Sequence, residues 1–263
     1  MAGTISKMKV DLQDEVKYTL ILGDDAIDMN SLINKDIRLF WNGDIFCSAC
    51  GKKTKNSFGE GFCYPCFQSA PEATECTIRP ELCRAHLGEG RDPDWEERNH
   101  NTPHIVYLAA SDIVKVGVTR ITQVPTRWID QGASSAIRLA ETPNRYEAGI
   151  LEVALKAFFA DKTNWQRMLK NEVDDSIDLV EEKWNLHDQL PEDLIQFFSE
   201  NDEVIDINYP VLTYPTKVKS LSFDKTPTIE GKLVGIKGQY LIFEDGSVLN
   251  IRKHTSYFLE VTI

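Results

Sequence analysis

Four cysteines set in two short pairs, Cys47-Ser-Ala-Cys50 and Cys63-Tyr-Pro-Cys66, carry the strongest chemical signal in the chain. Each pair presents two thiolates at the spacing of a zinc knuckle, and twelve residues separate the pairs. Four sulfurs suit a tetrahedral zinc ion at about 2.3 Å per Zn–S bond. Gly51, directly after the first pair, lets the backbone curl around the metal. With four protein ligands no coordination position stays open, so the expected role is structural. A second set follows: Cys76, Cys83 and His86, in CTIRPELCRAH, with His100 further on. Cys83 and His86 are spaced to hold one ion together, Cys76 supplies a third ligand, and His100 is the expected fourth of a second zinc. The plainer alternative is a small cysteine-bearing turn with a surface histidine.

A third group of residues lies on elements that follow from pattern alone. Two apolar runs, residues 104–110 and 113–119, are separated only by Ser111-Asp112 and predict a tight β-hairpin. Alternation along the strands puts Val106, Leu108, Val114, Val116 and Val118 on the core side. Ile105, Tyr107, Lys115, Gly117 and Thr119 then share the outer face, which offers a phenol and an ammonium together. Thr126 starts a helix that Gly132 stops, and a longer helix is expected over residues 145–159. Within it Glu152 is flanked by Ile150, Leu151, Val153 and Ala154, where a carboxylate needs a partner or a cation. Arg120 and Arg145 are candidate phosphate contacts, with plain surface charge as the alternative.

The ordered set VYLA (106–109), KVGVT (115–119), Arg127 and EAGILEVALK (147–156) resembles the GIY-YIG endonuclease superfamily. That resemblance implies a hairpin bearing two motifs, then an arginine helix, then a helix with a metal-binding glutamate. Tyr107 matches the tyrosine that closes the first motif, Lys115-Val116-Gly117 occupies the second, Arg127 matches the helix arginine and Glu152 the glutamate. Asn164 matches a late asparagine. Lys115 stands where most members carry tyrosine, and Gln131 where a histidine is common. What the resemblance implies is a divalent-metal-dependent phosphodiester hydrolase, with Glu152 holding Mg or Mn. Tyr107 would then be the general base, helped toward phenolate by Lys115, and Arg127 would neutralise charge on the phosphoryl oxygens. The whole chain also resembles an uncharacterised family of bacterial zinc-ribbon proteins, which implies no activity.

At 263 residues and 42% hydrophobic content the chain has room for two or three small domains. It has no apolar run of about 20 residues, so no membrane partner is expected. The N-terminus MAGTISKMKVDLQDEV lacks the apolar stretch of a secretion signal, and six closely paired cysteines then point to metal ligands in a reducing cytoplasm. A net charge of −12 argues against a general nucleic-acid surface, yet the charge is split. Residues 172–206 hold thirteen acidic side chains against Lys183 alone, while residues 101–170 hold nine Lys/Arg against six Asp/Glu.

The expected class is α+β, in five stretches. Residues 1–46 form an N-terminal β-sheet, with a strand near residues 16–23 and a hairpin turning at Asn42-Gly43. Residues 47–100 bind zinc and residues 101–175 form the GIY-YIG-like α/β domain. Residues 176–214 form an acidic helical segment, with helices over 176–187 and 191–198 after another begun at Thr163 and Asn164. Residues 215–263 form a small β-barrel or sheet of short strands that pairs with the N-terminal ones. Three functions fit: a nuclease, a nucleic-acid-binding or regulatory module that hydrolyses nothing, and a scaffold meeting a protein partner through the acidic segment.

Overall fold

The computed structural model describes residues 1–159 and 164–263, and its fold is α+β. The expected helix start at Thr163 lies outside the described residues. Two compact units divide the chain: one assembled from residues 1–69, 129–132 and 207–263, the other from residues 70–128 and 133–206.

In the first unit the N- and C-terminal strands share one sheet, as their patterns require. Its order is Ala2–Thr4, Tyr257–Thr262, Asp36–Phe46, Thr228–Lys237, Tyr240–Phe243, Ser247–Asn250 and Lys219–Leu221, and Lys53–Thr54 also pairs with Asp36–Phe46. Ile37, Leu39, Ile229, Leu233, Leu241, Val248 and Leu259 are buried from it. Asn42-Gly43 does not turn the chain. Asp36–Phe46 runs through it as one strand of eleven residues. Gly43 sits at φ +94°, and the register against Tyr257–Thr262 shifts between Tyr257 and Leu259. The glycine's freedom therefore makes a bulge rather than a turn, because strands on both sides hold Asp36–Phe46 straight. A three-stranded sheet, Lys9–Asp11, Lys17–Leu22 and Asp25–Asp28, buries Tyr18, Leu20 and Leu22 at alternate positions. Its neighbour Met8 is fixed by the Gln239 amide, which accepts from the Met8 N–H at 2.8 Å and donates to its carbonyl at 3.0 Å.

The second unit is built on the strand order Val204–Asp206, Ser135–Thr142, His104–Ala110, Val114–Arg120. The hairpin falls where the pattern puts it. Val106, Leu108, Ile137 and Leu139 pack with Leu151 and Leu155 of the helix Arg145–Leu155, and Val114, Val116 and Val118 lie against the same core. Asn144 caps that helix, its Oδ1 accepting from the Glu147 N–H at 3.0 Å. The acidic segment adds the helices Leu179–His187 and Glu192–Ile195; their Leu179, Leu186 and Leu194, with Leu190 between them, enter this core while most of their carboxylates stay outside. Lys183 is fully buried and donates to the Asn201 carbonyl at 2.7 Å and to Asp202 at 2.8 Å. No helix among the described residues is long and apolar enough to cross a membrane.

Candidate metal centres

The strand Asp36–Phe46 leads directly into Cys47, and its pairing with Lys53–Thr54 folds the first knuckle back on itself. The Cys47 carbonyl accepts from the Gly51 N–H at 2.9 Å, with Gly51 at φ +69°, so the chain curls around the cysteines as the glycine allows. Ser48 N–H donates to the Gly61 carbonyl at 2.8 Å, which brings the second knuckle alongside. The four sulfurs of Cys47, Cys50, Cys63 and Cys66 all lie within 4.8 Å of one another, so the cluster can hold a metal ion. Cys50 Sγ and Cys63 Sγ are 3.8 Å apart, which matches the edge of about 3.8 Å that a tetrahedron of 2.3 Å Zn–S bonds requires. Burial raises the Cys47 thiol, but N–H donors from Cys50, Cys63 and Ala49 outweigh it and hold it down at about 6. Hydrogen bonding with Cys63 and Cys50 pushes Cys66 up to about 12. One sulfur thus ionises easily while its neighbour resists, until a cation replaces the proton.

A second cluster forms in the other unit, from Cys76, Cys83, Glu96 and His100. Three of the expected ligands meet there, but His86 does not. The segment after Cys83 winds into a 3-10 turn, Ala85–Leu87, and the His86 ring stacks on Tyr146 with centroids 4.5 Å apart. Glu96 takes the fourth place because the helix Pro93–Asn99 puts it one turn before His100, on the same side. Hydrogen bonding with Cys83 holds the Cys76 thiol down at about 4, and the same contact drives Cys83 upward.

The strand-face expectation for Tyr107 needs correction. Tyr107 is 1% exposed, its ring 5.8 Å from that of Trp128, and its hydroxyl lies over Gly117, its cross-strand partner. A side chain at 117 would meet that hydroxyl at 2.6 Å, so the glycine of the second motif seats the tyrosine of the first. The outer face is therefore covered, because an aromatic this large excludes water more favourably beneath Trp128 than in solvent. Since Val106 and Leu108 pack toward the helix Arg145–Leu155, Tyr107 points to the opposite face of the sheet.

Glu152 is partly buried, its carboxyl pushed up by burial and drawn back by Lys156 at 3.6 Å. The Glu81 carboxylate is near enough to raise it further, yet among the described residues no group of three or more ligating side chains includes Glu152. Lys115 is half-buried and 3.9 Å from Asp112, and burial lowers its pKa. Arg127 lies close enough to Arg145 for its charge to lower that residue's pKa, after burial. Neither arginine proposed for phosphate stands clear for it. Arg120 donates to Asn99 Oδ1, and Arg145 donates to the Cys76 and Thr77 carbonyls at 2.9 Å each. Both guanidiniums instead satisfy acceptors of the helix and the loop that build the second cluster. Asn164 caps the helix Trp165–Leu169, accepting from Gln166 N–H at 3.1 Å and Arg167 N–H at 3.3 Å.

Gly149 shows how tightly the second cluster is held. An added Cβ would meet Glu81 N at 2.2 Å and Pro80 C at 2.4 Å, both backbone atoms of the loop between Cys76 and Cys83. Gly149→Ala is expected to cost about 1–3 kcal/mol through overpacking, read as a lower midpoint in urea unfolding. An unchanged midpoint would mean the helix and the loop do not meet at Gly149.

Fold and site together define an α+β protein with two clusters of side chains that could each hold a metal ion. The chain belongs to the family described as Protein of unknown function (DUF2797), whose model matches residues 34–259. No curated protein and no solved structure matches it.

Proposed function

We propose that this is a nucleic-acid-binding protein whose contact surface is the ribbon, held in shape by a structural zinc ion on Cys47, Cys50, Cys63 and Cys66. The observation that carries the reading is an exposed aromatic group on that ribbon. Tyr64 is 53% exposed and Phe67 36%. Phe58 joins them, with ring centroids 5.3 Å from Tyr64 and 6.1 Å from Phe67. Large rings are ordinarily buried, and nucleobases are flat partners for such a platform. The same ribbon carries Lys52, Lys53 and Lys55, all exposed, against Glu60. Zinc with four thiolates bears two negative charges, which roughly offset that excess. Stacking on unpaired bases is thus the main source of affinity, and the overall charge of −12 keeps binding to duplex phosphates weak.

Binding without cleavage is the better supported form. The hydrolase expectation requires Tyr107 and Glu152 to meet one phosphate, whereas Tyr107 faces away from the helix that bears Glu152.

Fluorescence anisotropy with labelled single-stranded DNA and RNA oligonucleotides tests the proposal. Tyr64→Ala and Phe67→Ala are each expected to weaken binding by about 1–3 kcal/mol, or roughly 5- to 150-fold, with zinc content unchanged. Wild-type affinity in both variants, or no binding at low salt, would refute it.

A further inference from the structure

We infer that Cys76, Cys83, Glu96 and His100 form a second structural zinc site, with Glu96 as the ligand that closes the tetrahedron. The ligand atoms lie within 4.8 Å of one another. Cys76 Sγ and His100 Nδ1 are 3.7 Å apart, close to the edge of about 3.6 Å expected between sulfur at 2.3 Å and nitrogen at 2.0–2.1 Å from one zinc ion. The same His100 Nδ1 pairs directly with Glu96 Oε2, which places the carboxylate in the cluster beside the imidazole.

Burial is the second, independent observation. The four residues are 8%, 2%, 3% and 5% exposed, in chain order. Two thiols, a carboxylate and an imidazole hidden together cost free energy unless something satisfies them, and a divalent cation satisfies all four. Charge closes as well. Two thiolates and one carboxylate around Zn²⁺ leave a single negative charge. Arg145, which donates to the Cys76 carbonyl at 2.9 Å, supplies the matching positive charge. Thr74 Oγ1 lies 3.3 Å from Cys76 Sγ and completes the outer support. The site is enclosed and has four protein ligands, so it holds structure and admits no substrate. What it joins is the loop of residues 76–83 to the helix Pro93–Asn99, neither of which contributes a strand to a sheet.

The full chain, purified and exchanged into metal-free buffer, should carry two zinc ions by native mass spectrometry and elemental analysis. Cys76→Ser/Cys83→Ser should retain one, and so should Cys50→Ser/Cys63→Ser. Cobalt substitution then identifies the ion that remains. In Cys50→Ser/Cys63→Ser the thiolate-to-cobalt absorption should be about half that in Cys76→Ser/Cys83→Ser, two sulfurs against four. Glu96→Ala should lose the second ion while its ribbon zinc stays. A single wild-type zinc that disappears with the ribbon cysteines would overturn the inference, as would two ions retained by both Glu96→Ala and Cys76→Ser/Cys83→Ser. A single zinc lost with Cys76 and Cys83 would support it and remove the ribbon ion instead. The native mass of the wild-type chain needs no variant to fold.

Discussion

Zinc removal by a strong chelator should open the ribbon while the sheet behind it stays folded. Trypsin then cleaves after Lys52, Lys53 or Lys55, sites that the metal-bound ribbon protects. Residues 47–69 contribute Cys47 as their one buried apolar-class side chain, since Phe58, Phe62 and Phe67 are only partly covered or exposed. Such a segment cannot offset the entropy of ordering it, at about 1–2 kcal/mol per residue, by burial alone. Zinc on four thiolates makes up the deficit: the apparent binding free energy of structural zinc, about 10–16 kcal/mol at neutral pH, is what remains after the peptide has been ordered around the ion. The eight-stranded sheet buries its own core and should keep its circular-dichroism signal. Cys50→Ser should show the same ribbon cleavage as the chelated chain. Equal protection of Lys52, Lys53 and Lys55 after verified zinc loss would show that the ribbon stands without its metal.

Mild acid should destabilise the second unit through His104. Its side chain is fully buried and Nδ1 lies 2.7 Å from the Thr102 carbonyl, leaving Nε2 buried with no partner. Burial lowers its pKa from 6.5 to about 3, and the charges of Arg145, His100 and Arg120 push in the same direction. The unfolded chain takes up this proton near pH 6.5, whereas the folded chain resists it until about 3. The contribution is therefore complete above pH 6.5 and is lost as pH falls toward 3. Between those values the slope is about 1.4 kcal/mol per pH unit. His104→Phe keeps a ring and removes the titration. In urea unfolding from pH 7 to 5 the wild-type stability should fall relative to that of the variant by about 2 kcal/mol. Parallel curves would mean that His104 does not stay neutral in the folded chain.

Much of this architecture is legible in the residues. The hairpin around Ser111-Asp112, the helix after Asn144 and the C-terminal strands each combine a clear period with a turn or cap residue. The ribbon follows from its cysteines, since few folds besides a metal site explain two such pairs. Other features were hidden for physical reasons. Ser135–Thr142, a central strand, shows no two-residue alternation because both of its faces are largely covered. Asn42-Gly43 carries a turn signal that the neighbouring strands override. His86 sits at knuckle spacing from Cys83, yet a local 3-10 turn sends it to Tyr146. The signal for Glu96 was present in its four-residue spacing from His100, which puts both on one side of a helix. Tyr107 shows the limit of strand parity, which assigns a face but not whether another element covers it.

The order in which the chain is made does not match the order in which its sheets can close. Asp36–Phe46 finds its long partners in Thr228–Lys237 and Tyr257–Thr262, nearly the whole chain later. As residues emerge during synthesis, this strand waits with both edges open, a condition that invites wrong pairing. The second unit, by contrast, is complete once residue 206 has emerged. Among the described residues Lys53–Thr54 is the partner of the waiting strand available early, and it lies between the two cysteine pairs of the ribbon. With zinc on those cysteines, as proposed, metal supply during translation would bear on the pairing of this strand as well as on the stability of the finished protein.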